Sequence, residues 1–138
     1  GTGSSDTANY LEASRMADDD QIQISDERGI TVVRLGADFA SIYESDLLRL
    51  SQLRDLASSV TPAQIVIDLA NTRYFGSAFI GFLISIASRL NERNSGRLCL
   101  TSLAPFATMA LEATKADSIM SIYGSIDDAV TALRPSDN

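Results

Sequence analysis

Hydrophobic and polar positions along the chain change period several times, and each change marks an element. Gln21-Ile22-Gln23-Ile24-Ser25 alternates strictly, as a half-buried strand does. Asp26-Glu27-Arg28-Gly29 is a turn cluster, and Ile30-Thr31-Val32-Val33-Arg34-Leu35 is β-branched, so the two runs predict an antiparallel hairpin. Gly36-Ala37-Asp38 breaks the pattern. From about Ser41 to Ser58 the apolar residues Leu47, Leu50, Leu53 and Ala57 recur at steps of three and four. This predicts a covering helix with Arg49, Arg54 and Asp55 on its wet side, ended by Thr61-Pro62.

Ile65 to Leu69 is apolar apart from Asp68, which suits a central strand buried on both faces. A second helix opens at Ser77 and carries Phe79, Leu83, Ile86 and Leu90 on one stripe. It stops at Asn94-Ser95-Gly96, where glycine is the usual terminator. Arg97 to Thr101 is the next strand. Pro105 opens a third helix with Phe106, Ala110 and Ala113 inward. Ile119 to Tyr123 is a short fifth strand, and Ser125-Ile126-Asp127-Asp128 reads as an N-cap followed by acids that favour a helix start.

The order β-β-α-β-α-β-α-β-α predicts an α/β fold, a mixed but mostly parallel sheet of four or five strands with about four helices. One domain over residues 21–135 is expected, preceded by a polar lead-in over residues 1–20. At 138 residues such a domain is large enough for a real core.

Composition narrows the chemistry. There is no histidine, which removes Ser-His-Asp and Cys-His catalysis and histidine metal ligation. No group of carboxylates converges by spacing, and no glycine-rich phosphate loop follows a strand, so neither a metal nor a nucleotide cofactor is expected. A net charge of −7 argues against nucleic acid and against an anionic membrane surface. No apolar run approaches the ~20 residues that span a bilayer, and no secretory leader pattern opens the sequence. The lone Cys99, between Leu98 and Leu100, reads as a buried structural thiol compatible with a reducing compartment. Binding rather than catalysis is the expected activity.

The stretch Asp68-Leu-Ala-Asn-Thr-Arg-Tyr-Phe-Gly-Ser-Ala-Phe-Ile-Gly81 joins a buried strand to a buried helix, the kind of junction where α/β proteins often place function. Ser77 is expected to cap the helix with a solvent-reachable hydroxyl, and Gly76 to relax the turn. Asp68 is read as a structural acceptor in the following loop. One helix cannot bury every side, so at least one of Phe79, Ile80 and Phe82 is expected to show near the Ser77 turn as an apolar docking surface.

These residues carry a resemblance. The chain from Ile22 to Leu133 resembles the STAS domains, whose best-known members are the anti-sigma factor antagonists of bacteria. In that family a strand ends in Asp-Leu, matched by Asp68-Leu69. An apolar residue matched by Phe75 follows, and the regulatory serine falls on Ser77. Ala78, Ile80 and Gly81 also fit, as does the closing "SIYGSIDDAVTAL". Gly76 stands where the family usually has aspartate, and Phe79 where it usually has glycine.

The resemblance implies a cytoplasmic regulator of transcription, not an enzyme, that binds an anti-sigma factor with serine kinase activity. Phosphorylation on Ser77 would release that partner and a phosphatase would reset it, with Gly76, Ser77, Ala78, Phe79 and Ile80 as the partner-binding residues. The alternative that it also implies is an unphosphorylated STAS scaffold or accessory subunit, in a stress-signalling complex or with a lipid-transporter ATPase.

Overall fold

The computed structural model describes residues 20–134. The lead-in expected over residues 1–20 lies, apart from Asp20, outside the described residues, as does Pro135. Strands β1 (Ile22–Glu27) and β2 (Ile30–Leu35) form the expected antiparallel hairpin. Its turn places Arg28 and Gly29 at positive φ, and the Gly29 amide donates to the Asp26 carboxylate. β3 (Ser41–Ile42), α1 (Gln52–Ser59), β4 (Gln64–Asp68), β5 (Tyr74–Phe75) and α2 (Ser77–Asn91) follow. β6 (Arg97–Thr101), α3 (Pro105–Ala113), β7 (Ser121–Tyr123) and α4 (Ile126–Leu133) complete the fold.

The main sheet runs β1-β2-β4-β6-β7, with every pair after the hairpin parallel. β4 is its middle strand, as its unbroken apolar run requires, and Ile65, Val66 and Ile67 are buried. Successive strands advance in one direction across the sheet, so right-handed crossovers put α1, α2 and α3 on one face. Val33, Leu35, Ile65, Ile67, Leu98 and Leu100 point into that layer. α4 covers the opposite face, where Ile30, Val32, Val66 and Cys99 meet Ala129 and Val130. The Cys99 thiol is fully buried there, and burial pushes its pKa up to about 11, against smaller opposing effects of Arg97 and the Ser121 hydroxyl.

Three helices start where the periodicity places them, at Ser77, Pro105 and Ile126, and the Ser125 hydroxyl accepts from the Asp128 amide 3.1 Å away. The first helix is different. Instead of one helix from Ser41, the chain makes β3, then a series of single 3₁₀-type turns, then the short α1. The amides of Leu47, Leu50 and Leu53 each reach back three residues, to Glu44, Leu47 and Leu50 at 3.0–3.1 Å. Leu47, Leu50 and Leu53 are spaced by three, which is the repeat of a 3₁₀-helix rather than of an α-helix. Arg49 and Arg54 are exposed as expected, but their guanidinium groups lie 4.7 Å and 4.9 Å from the ring centres of Phe39 and Phe82.

The inner face of α3 is built from Ala107 and Leu111, with Phe106 and Ala110 half-buried, while Ala113 is exposed. At the end of α2 the left-handed residue is Ser95 (φ 58°) and not Gly96. Gly96 is required for another reason: a Cβ there would overlap the Leu90 carbonyl group.

Candidate functional site

The Ser77 turn is positioned by two segments stitched side by side. After β4 the chain leaves the sheet through Leu69, whose amide donates to the Thr101 carbonyl at 2.9 Å. The loop then lies against the segment following β2. The buried Thr72 hydroxyl donates to the Phe39 carbonyl at 2.9 Å, and the Asn71 side-chain amide to the Leu35 carbonyl at 3.1 Å. The amides of Arg73 and Tyr74 share the Ala40 carbonyl at 2.8 Å and 3.1 Å. β3 and β5 then pair in parallel, Ser41 opposite Tyr74 and Ile42 opposite Phe75, and the Gly76 amide closes on the Ile42 carbonyl at 3.1 Å. This two-strand ladder fixes where α2 begins.

Ser77 is exposed and is the first residue of α2. The cap is Gly76, in extended backbone (φ −90°, ψ 177°) that any residue adopts, with open space where a Cβ would lie. Gly76 is therefore not needed to relax the turn, and Ser77 does not cap the helix by side-chain hydrogen bonding, because it stands one residue inside the cap position. No acid lies in the first turn. The start of this 15-residue helix is open and positively polarised, with an exposed hydroxyl on it.

The neighbouring partner-binding candidates divide sharply. Ala78 is half-exposed, whereas Phe79 is fully buried and Ile80 nearly so at 8%. Phe82 is buried too, so none of the three large apolar residues of this helix forms the expected docking surface. α2 is packed between α1, the sheet and the β3–β5 ladder, and its exposed residues include Ser77, Gly81, Ser88 and Arg89. Phe79 instead anchors the turn from below, with its ring 5.2 Å from Phe75 and 6.1 Å from Phe82.

The exposed apolar surface comes from residues that periodicity did not single out. Tyr74 is 46% exposed and Tyr43, just past the end of β3, 53%. Their rings are 5.7 Å apart, and Tyr74 stacks on Phe106 of α3 at 5.8 Å. Met109, one turn further along α3, is 68% exposed. A usable signal was present: Tyr74 is the polar-facing member of the two-residue alternation Tyr74-Phe75, three residues before Ser77.

Asp68 sits at the end of β4, and its carboxylate accepts from the buried Thr101 hydroxyl on β6 at 2.8 Å. The acceptor role is as expected, but the donor lies on the next strand and not in the following loop. Among the described residues no group of three or more histidine, cysteine, aspartate or glutamate side chains could hold a metal.

Residues 21–129 match the STAS domain family. An anti-sigma-factor antagonist (STAS) domain protein from Planctomyces limnophilus has the same fold, with a TM-score of 0.76 and 26% identity over 82% of this chain and 97% of that one. An anti-sigma factor antagonist from Mycobacterium paratuberculosis is similar at 0.65 and 24%, covering 83% and 93%. The Bacillus cell fate determinant SpoIIAA in its phosphorylated form is similar in fold at 0.60 and 17%, covering 82% and 99%. The chain belongs to the STAS domain family, with the fold of its anti-sigma factor antagonists. Among the described residues no helix is long and apolar enough to cross a membrane.

Proposed function

We propose that this protein is an anti-sigma factor antagonist of the partner-switching kind: a cytoplasmic binding module that regulates transcription and is switched by phosphorylation on Ser77. The observation that carries the reading is an exposed serine on the open first turn of a long helix, three residues from an exposed aromatic patch. The unmodified turn presents Gly76, Ser77 and Ala78 as a small, uncharged platform beside Tyr43, Tyr74 and Met109. An anti-sigma factor with serine kinase activity would pack on both. Phe79 and Ile80 hold the platform in shape from within and do not touch the partner.

Phosphate adds about −1.5 to −2 charges at the positive end of the helix, so the fold tolerates it. A partner packed on the turn would have to desolvate that charge and would leave, and a phosphatase would restore binding. The second reading, a permanently unmodified scaffold or accessory subunit of a stress-signalling complex or lipid-transporter ATPase, is favoured by one observation. Gly76 leaves the turn without the carboxylate that the family resemblance implies beside the serine.

Affinity purification from the native host, followed by quantitative mass spectrometry, tests the proposal. Wild type should retain a serine-kinase anti-sigma factor, and Ser77→Asp should lose it about tenfold or more, the effect of about 1.4 kcal/mol. Ser88→Asp, about 16 Å further along the same helix face by its 1.5 Å rise, should keep it. Equal retention by wild type and Ser77→Asp would place the partner elsewhere.

A further inference from the structure

The opposite end of the domain carries a second built surface. At the N-terminal edge of the parallel strands an open cleft of about 710 Å³ lies between the β1–β2 turn, the loop before β6 and the end of α4. Its floor is largely apolar, from Ile30, Pro62 and Leu133, and among the described residues its lining includes Arg28, Arg93 and Arg134 but no acidic residue. In a chain with only 11 lysines and arginines against 18 acids, three arginines on one cleft is a local reversal of charge.

Arg28 is compensated by Asp127, 2.7 Å away, whereas among the described residues no acid pairs with the other two. Arg93 donates to the uncharged Ala57 carbonyl at 3.0 Å, which fixes its guanidinium without neutralising it. Arg134 has no acidic partner among the described residues.

We infer that this cleft is a second docking surface, for an extended acidic segment of a partner protein with apolar residues between its acids. Three features select that occupant. Charge complementarity requires an acidic ligand. The arginines stand on three separate segments around an apolar floor, which matches acids spaced along a chain and not one compact anion. α1 and α4 also end beside the cleft, and helix C-termini present free carbonyl groups. Those carbonyls accept from peptide amides, whereas they repel an inorganic anion that offers acceptors only. α2 separates this cleft from Ser77 by about 22 Å, from 15 residues at 1.5 Å each, so both surfaces can be occupied together.

The probe is a short fluorescein-labelled peptide alternating aspartate with leucine, followed by fluorescence anisotropy on the full chain. Saturable binding is expected that weakens with added salt. Arg93→Glu and Arg134→Glu should each reduce affinity about tenfold, equivalent to roughly 1.4 kcal/mol, with unchanged circular dichroism. Arg134→Glu keeps the test valid if Arg93→Glu disturbs the α1 end. Ser77→Asp should leave the affinity as it is, which separates this inference from the switch at the other end. The inference is overturned by no saturable binding, by equal binding of a lysine-for-aspartate peptide, or by affinity indifferent to both arginine variants.

Discussion

Two glycines stand near the ends of α2, and their surroundings are opposite. A Cβ on Gly96 would overlap the Leu90 carbonyl group, so the backbone itself excludes any other residue there. A Cβ on Gly76 would meet nothing within 4 Å, in a conformation open to every residue. One end of the helix is closed by packing. The other is held by backbone hydrogen bonds to Ala40 and Ile42, and its outer side chains are left unconstrained. Residue choice at the free end does not follow from the fold, which makes that end the place where function can set the sequence.

The largest expected effect tests the division within the free end itself. Phe79 lies under the Ser77 turn with 0% exposure, so Phe79→Ala should cost about 3–5 kcal/mol in denaturant melts, as buried aromatic truncations do. A loss below about 1 kcal/mol would mean that the turn is not anchored from below and that the two ends are alike. At the closed end, Gly96→Ala should cost about 3 kcal/mol, because the obstacle is backbone and cannot rotate away. A neutral outcome would remove the contrast between the glycines.

Cys99 provides a reference between the ends, on the sheet face under α4. Its folded pKa of about 11 lies above the ordinary 9.0, so the stability that it contributes is full below pH 9 and is lost as pH rises towards 11. The loss should be on the order of 2–3 kcal/mol, and substitutions at Gly76 or Ser77 should leave its pH window unchanged. A melt series across that range checks it. A thiol freely alkylated in the native protein would show that the face is open.

The smallest effects belong to the free end. Ser77→Ala should change stability by no more than about 0.5 kcal/mol, since Ser77 makes no capping bond and alanine is the better helix former. Gly76→Asp places an acid at the cap and should stabilise by a few tenths of a kcal/mol, visible as a small rise in Tm. A loss of several kcal/mol from either would show hidden constraint at this end.

Much of this arrangement was legible in the sequence, for reasons that also explain what was not. Periodicity reports burial, so the buried run Ile65–Leu69 and the starts of three helices at Ser77, Pro105 and Ile126 could be read directly. It reports poorly on where a side chain meets another element. The spacing of Leu47, Leu50 and Leu53 fits two kinds of helix, and only the pairing of Ser41-Ile42 with Tyr74-Phe75 decides that no helix starts at Ser41. Tertiary contacts, Phe75 against Phe79 and Arg54 over Phe82, cover side chains of α2 that local pattern leaves unresolved. The patch of Tyr43, Tyr74 and Met109 joins residues from three parts of the chain, and no local window contains it. A change of period marks the junction at Ser77 and the STAS resemblance singles out its serine, but its place one residue inside the cap depends on the β3–β5 ladder.

We propose that charge is added, and a partner released, at the free end of α2. The most direct measurement is phosphosite mapping by mass spectrometry of the protein purified from its own host, with and without the partner that co-purifies. A phosphate on Ser77 is expected in the free protein and none in the complexed fraction. A protein unmodified in both fractions, held in a stoichiometric complex with a transporter ATPase, would contradict it.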